Sequence, residues 1–223
     1  MTGKNSLIYI ALAVFGLISA SCGDDSEVPA RVDAAGYFPL QATILRVYEV
    51  EDITISPLGG SDTARYQLME AIGDYFVNSS GIENWNLYRY RRADSDDPWV
   101  FQSTTPLRIQ DGNYIVTEDN IPYVKLASPL FDGKEWDGNA YNASASDVYT
   151  ARFEEEGDLL TVVQEELRDT IVSQDIRKEV YSYDIGLVYR EITLLNYCTR
   201  PDCLGEGIVE DGRVYKQTLQ DIW

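Results

Sequence analysis

From residue 37 onward, apolar and polar residues alternate in short runs separated by polar breaks, with the period of strands. The run ATILRVYEVEDITI is rich in β-branched and aromatic residues and predicts a strand from about Thr43 to Ile55. Its phase is imperfect: Val47 shares a face with Leu45, while Tyr48 and Val50 fall on the other. A bulge near Glu51 and Asp52, or burial on both faces, would account for this. Residues 64–78 fit a helical stripe through Tyr66, Leu68, Ile72 and Phe76, but Gly73 and the neighbouring strands favour a second strand pairing back on the first. WNLYRYRR and WVFQSTTPLRI read as a hairpin around Asp94 to Pro98. YIVTEDNIPYVKLASPLF reads as two short strands broken near Asn120 to Pro122. Phe131 to Asp147 reads as a long loop carrying Trp136, after which VYTARF, LLTVVQEE, IRKEVYSYD, GLVYREITLLNYC and RVYKQTLQDIW resume the strand pattern.

Roughly ten strands at short spacing, with no crossover helices, predict an all-β antiparallel meander. Such a meander forms either a strongly curved sheet or up-and-down barrel, or a two-sheet β-sandwich. Sequential hairpins favour the first. No internal repeat or linker interrupts residues 37–223, so they are expected to form one domain.

The first residues follow a different pattern. Lys4 precedes an apolar run from Leu7 to Ile18, shorter than the roughly 20 residues of a bilayer span, and Ser19, Ala20 and Ser21 lead to Cys22. This layout resembles a bacterial lipoprotein signal, which implies diacylation of Cys22; it departs from the usual pattern in having Ser19 where an aliphatic residue is common. The reading divides the chain into a signal peptide (1–21), a lipidated acidic tether (22–36) and the β-rich domain (37–223). Asp24, Asp25 and Glu27 resemble the acidic export signal of Bacteroidota-type surface lipoproteins; a merely solvated tether is the alternative. The expected address is the outer membrane, held by acyl chains, on the cell surface.

Charge narrows the partners. Only Lys4 of the 18 Lys and Arg lies ahead of Cys22, and none of the 37 Asp and Glu does, so the mature chain would carry a net −20. That argues against nucleic acid and anionic lipid surfaces as partners. The chain contains no histidine, which removes Ser-His and Cys-His nucleophilic schemes and His-ligated metal sites. With Cys22 assigned to lipid, Cys198 and Cys203 in YCTRPDCLG are left to form a small local disulfide in an oxidising compartment.

The opening YFPL, the SPL…WDGN loop from Ser128 to Asn139 and IGLVYRE from Ile185 to Glu191 together resemble an uncharacterised family of β-rich Bacteroidota-type lipoproteins. The resemblance covers most of the mature chain and implies no activity, so it brings no catalytic residues.

Four constellations remain. Asp132, Asp137 and Asn139 offer oxygen ligands but lack the spacing of a calcium loop, so they read as a glycine-turned surface loop with Trp136 packed down. Trp85, Trp99 and Trp136, with Tyr88 and Tyr90, would suit the apolar faces of sugar rings if they lined one groove, although strands also bury such residues against one another. Glu154 to Glu156 and Glu165-Glu166 supply carboxylates for a glycoside hydrolase, with no spacing that demonstrates a pair. Asp62-Thr63-Ala64 and Asp169-Thr170-Ile171 resemble O-glycosylation acceptors. The leading expectation is a non-enzymatic binding domain without metal or cofactor, held to the membrane by acyl chains, with a glycan or an envelope protein as partner. The alternatives are a carboxylate-based glycan hydrolase and a structural envelope component.

Overall fold

The computed structural model describes residues 31–41, 44–154 and 158–223; Cys22, Asp24, Asp25 and Glu27 lie outside the described residues. Among the described residues, twelve strands form one antiparallel sheet. They are β1 (Leu45–Ile55), β2 (Ser61–Val77), β3 (Glu83–Arg92), β4 (Val100–Gln110), β5 (Asn113–Glu118), β6 (Ile121–Ala127), β7 (Glu135–Asp137), β8 (Val148–Phe153), β9 (Leu159–Asp169), β10 (Ser173–Ser182), β11 (Gly186–Tyr197) and β12 (Val209–Ile222). Every strand pairs with its sequence neighbour except β6 and β7, while β1 pairs with β12. The sheet therefore curls into a nearly closed barrel whose seam lies between β6 and β7, and the sandwich alternative is excluded. Across the seam, Val124 N–H donates to Gly138 O (2.9 Å) and the Trp136 indole to Val124 O (2.9 Å).

Several local expectations are corrected. The bulge interrupts the β1–β12 ladder at Val47/Tyr48, not at Glu51 and Asp52, and this turns both Val47 and Tyr48 into buried surroundings. The strand favoured for residues 64–78 is present and runs from Ser61 to Val77. Gly73 suits it because the Tyr88 ring lies where its Cβ would be, and this cross-strand cover compensates for the missing side chain. The long loop of residues 131–147 contains β7, a short strand whose alternation is too brief to read.

A meander sends alternate hairpins to opposite ends. Residues 78–82, 111–112, 128–134 and 183–185 lie at the end where the described chain begins; residues 56–60, 93–99, 119–120 and 198–208 lie at the other. The beginning end is plugged. Val32 bridges Leu130, and a 3-10 turn (Ala34–Tyr37) follows, so the folded unit starts ahead of Tyr37. Asp33 caps the turn by accepting from Ala35 N–H (3.0 Å) and the Ser128 hydroxyl (2.9 Å), and these bonds hold its carboxyl below the usual range. Ala34 and Tyr37 then pack with Tyr114, Leu126, Leu130 and Leu160 in the main apolar core. Gly36 has the Tyr183 ring where a Cβ would project, and Arg46 ties the plug down by donating to Pro39 O (3.3 Å) and Ile185 O.

Candidate functional site

The rest of the interior combines an apolar cluster of Tyr48, Val50, Tyr66, Leu68 and Tyr215 with a polar centre. β3, β5, β6, β10 and β11 each aim a charged side chain inward, where a strand of a filled barrel would ordinarily place an apolar one. Lys125 on β6 pairs with Glu179 on β10 (2.9 Å) and Glu118 on β5 (3.1 Å). Arg190 on β11 pairs with the same two carboxylates at 2.8 and 3.2 Å. Arg89 on β3 joins Glu70 on β2 at 2.8 Å. Three carboxylates thus face three cations, and the centre is neutral in a strongly acidic chain.

Burial alone would raise Glu118 and Glu179, but Lys125 and Arg190 outweigh it and hold both carboxyls below the ordinary range. Burial likewise opposes the Arg190 charge, and Glu179 and Glu118 reverse the effect. The Tyr181 hydroxyl donates to Glu179 (2.6 Å); its own ionisation is pushed up by burial and by that carboxylate. Glu118 and Glu179 are both fixed as anions and as hydrogen-bond acceptors. Buried Arg190 Nε and Gln164 Nε2 have no hydrogen-bond partner among the described residues, so the polar centre is not saturated.

The shape of the site turns on where the β4–β5 ladder ends. The β4–β5 ladder runs from Gln110↔Asn113 to Leu107↔Val116 and stops there. The next pair would be Pro106 with Thr117, and proline has no N–H to give. Beyond it β5 has no ladder partner on β4 and ends in the Asp119-Asn120 turn, where both residues take positive φ (50° and 65°) as a tight primed hairpin requires. The tip is held by the Glu118 ion pairs. Two cavities result, both bordered by Glu118 and Arg190: one of about 620 Å³ in the cleft between β4 and β5, the other of about 240 Å³ between β6 and β9–β11.

The residues singled out in the sequence fall elsewhere. Trp85 packs at a tilt against Tyr75 (centroids 5.1 Å) near the plugged end, Trp99 lies under Arg92 (4.3 Å) beyond the hairpin at the opposite end, and Trp136 is packed into the core at the seam. Trp85 and Trp99 are separated by most of the length of β3, roughly 20 Å, so the three tryptophans line no common groove. Asp137 is occupied by its own loop, accepting from Asn139 N–H (2.9 Å) and Asp147 N–H (3.0 Å), and Asp132 accepts from Phe153 N–H (2.9 Å). Glu166 is a surface residue paired with Arg152 and Arg168, and Glu155 and Glu156 lie outside the described residues. Cys198 and Cys203 are joined, with Cα atoms 5.8 Å apart, in the loop between β11 and β12. Thr63 and Thr170 are both exposed at the unplugged end.

No protein-family model matches the chain, and no curated protein matches it. A solved structure does. It is that of a Bacteroides fragilis protein classed as exported and as having a YmcC-like fold, with 12% identity over 84% of this chain and 98% of that one and a TM-score of 0.39. At that score the likeness carries no argument about function.

Proposed function

We propose that the protein is a non-enzymatic binding domain, lipid-anchored through Cys22 at the outer membrane, which presents its unplugged end to a ligand or partner. The observation that carries this reading is the opposition of the two ends. The N-terminal segment enters and seals one end, while the polar cleft opens toward the other. A tether from Cys22 would hold the sealed end toward the membrane and turn the cleft away from it. The acidic residues Asp24, Asp25 and Glu27 would then direct the domain to the cell surface. The rival hydrolase reading is disfavoured by the same centre. A glycosidase needs one carboxyl protonated and another ionised, whereas cations hold Glu118 and Glu179 both ionised.

Protease treatment of intact cells, run beside a Cys22→Ala form, tests the placement. Digestion of the membrane-bound wild type and release of the variant as soluble protein are expected. Retention of the variant in the membrane fraction would overturn the anchor, and protection of the wild type until the outer membrane is opened would overturn the surface reading.

A further inference from the structure

We propose that the cleft between β4 and β5 is a binding site for an uncharged, polyhydroxylated ligand of one or two sugar rings. The proposal rests on the binding reading above and supplies its ligand class.

The first observation is the pair of free strand edges. In the two-residue hairpin at Asp111-Gly112, Gln110 and Asn113 form the closing pair, so their backbone groups face each other. Alternation carries that phase along β4 through Arg108 and Pro106 to Thr104, and along β5 through Ile115 to Thr117. The Asp119-Asn120 turn agrees: it makes Glu118↔Ile121 the closing pair on the opposite side of β5, which leaves Thr117 facing β4. Thr104 and Thr117 therefore turn an N–H and a C=O each into a cleft where neither strand has a ladder partner. Unpaired backbone groups require a partner. A hydroxyl donates and accepts, so it can meet an N–H and a C=O side by side.

The second observation is charge. Arg89, Arg190 and Arg213 border the cleft, and each is already committed: Arg89 to Glu70, Arg190 to Glu179 and Glu118, Arg213 to both oxygens of Asp52 at 2.8 Å. An ionic ligand would bring in a charge that these already neutralised pairs do not balance. A neutral one fits against them, with the Ser103 and Thr105 hydroxyls on β4 and the Tyr215 ring opposite. The third observation is size. At about 620 Å³ the cavity falls within the range of small-molecule sites.

The test uses the full-length protein in detergent and a panel of neutral mono- and disaccharides of hexose, N-acetylhexosamine and 6-deoxyhexose types. Binding is read by amide hydrogen exchange and calorimetry. We expect one class to bind with Kd on the order of 1 mM or tighter and to slow exchange at Thr104 and Thr117. Thr104→Pro, which deletes a cleft-facing N–H and spares the β3 ladder, should weaken that binding about tenfold, the scale of one lost neutral hydrogen bond. Ser103→Ala serves as a milder variant if the proline form unfolds. Binding of uronic or sulfated sugars alone, protection that bypasses both threonines, or no binding across the panel would each overturn the proposal. None of these outcomes depends on where the protein resides in the cell.

Discussion

The two halves of this barrel are filled differently. Near the chain's beginning, a plug of Ala34 and Tyr37 meets Leu126, Leu130 and Leu160, and stability comes from apolar area and close packing. Toward the other end, Glu118, Glu179, Lys125 and Arg190 cross the interior as ion pairs, with cavities on either side. The first half tolerates no opening, because any gap removes contacts outright. The second is already open and is held by partners that must all be present. Buried ion pairs are a poor means of stabilisation in comparison with apolar packing. Their use here fits a centre that is kept shaped and polar.

Breaking each half should therefore have different consequences. Glu179→Gln leaves Lys125 and Arg190 with Glu118 as their sole shared carboxylate, and a buried pair so broken costs about 3–5 kcal/mol. Leu160→Ala in the apolar half should cost about 3 kcal/mol. Urea unfolding measures both. The two variants should separate in hydrogen exchange: the first should release the β5–β6 tip around Glu118 and Asp119, while the second leaves that tip protected. Equal release by both would mean that the halves are one cooperative unit with no independent latch.

Acid sharpens the same contrast. Folded Glu118 and Glu179 have lowered pKa values relative to 4.5, so the unfolded chain takes up protons first as pH falls. Their stabilisation is complete above about pH 4.5 and is lost progressively below it, toward the depressed folded values. Since other carboxylates titrate in the same window, the informative quantity is the difference from wild type. The cost of Glu179→Gln should shrink between pH 5 and pH 3, whereas that of Leu160→Ala should stay nearly constant. A constant cost for both would show that the Glu179 charge contributes nothing to folding.

Legibility in the sequence follows the same division. Strand runs such as WNLYRYRR and GLVYREITLLNYC have enough alternation to place β3 and β11, and the ordered hairpins favour a curled sheet over a sandwich. The pairing of Cys198 with Cys203 follows from number and proximity. The plug is hidden because AAGYFPL looks like the end of a linker; its burial depends on Ser128, Leu130 and Tyr183, distant in sequence. The polar centre is hidden for another reason. In an acidic chain, Glu118 and Glu179 look like two more solvated carboxylates, and only their phase betrays them: Glu118 continues the inward step of Val116, and Glu179 that of Tyr181. Tryptophan is an ambiguous signal, since its abundance in strands reflects cross-strand packing as readily as recognition.

The smallest change bears on why the cleft exists at all. If the missing N–H of Pro106 is what ends the β4–β5 ladder, then Pro106→Val should extend it, the new amide donating to Thr117 C=O. Pro106 is exposed, so a β-branched residue meets no steric cost there. The gain should be about 1 kcal/mol, one net hydrogen bond, read as a shift in the urea midpoint. The amide at position 106 should exchange slowly, and the cleft should lose sugar affinity as its edges draw together. Slow exchange with unchanged sugar binding would show that the ligand does not use the Thr117 edge, against the site proposed above. Fast exchange would show that the Glu118 ion pairs pull β5 away whatever stands at position 106, and Glu118→Gln combined with Pro106→Val should then let the ladder close.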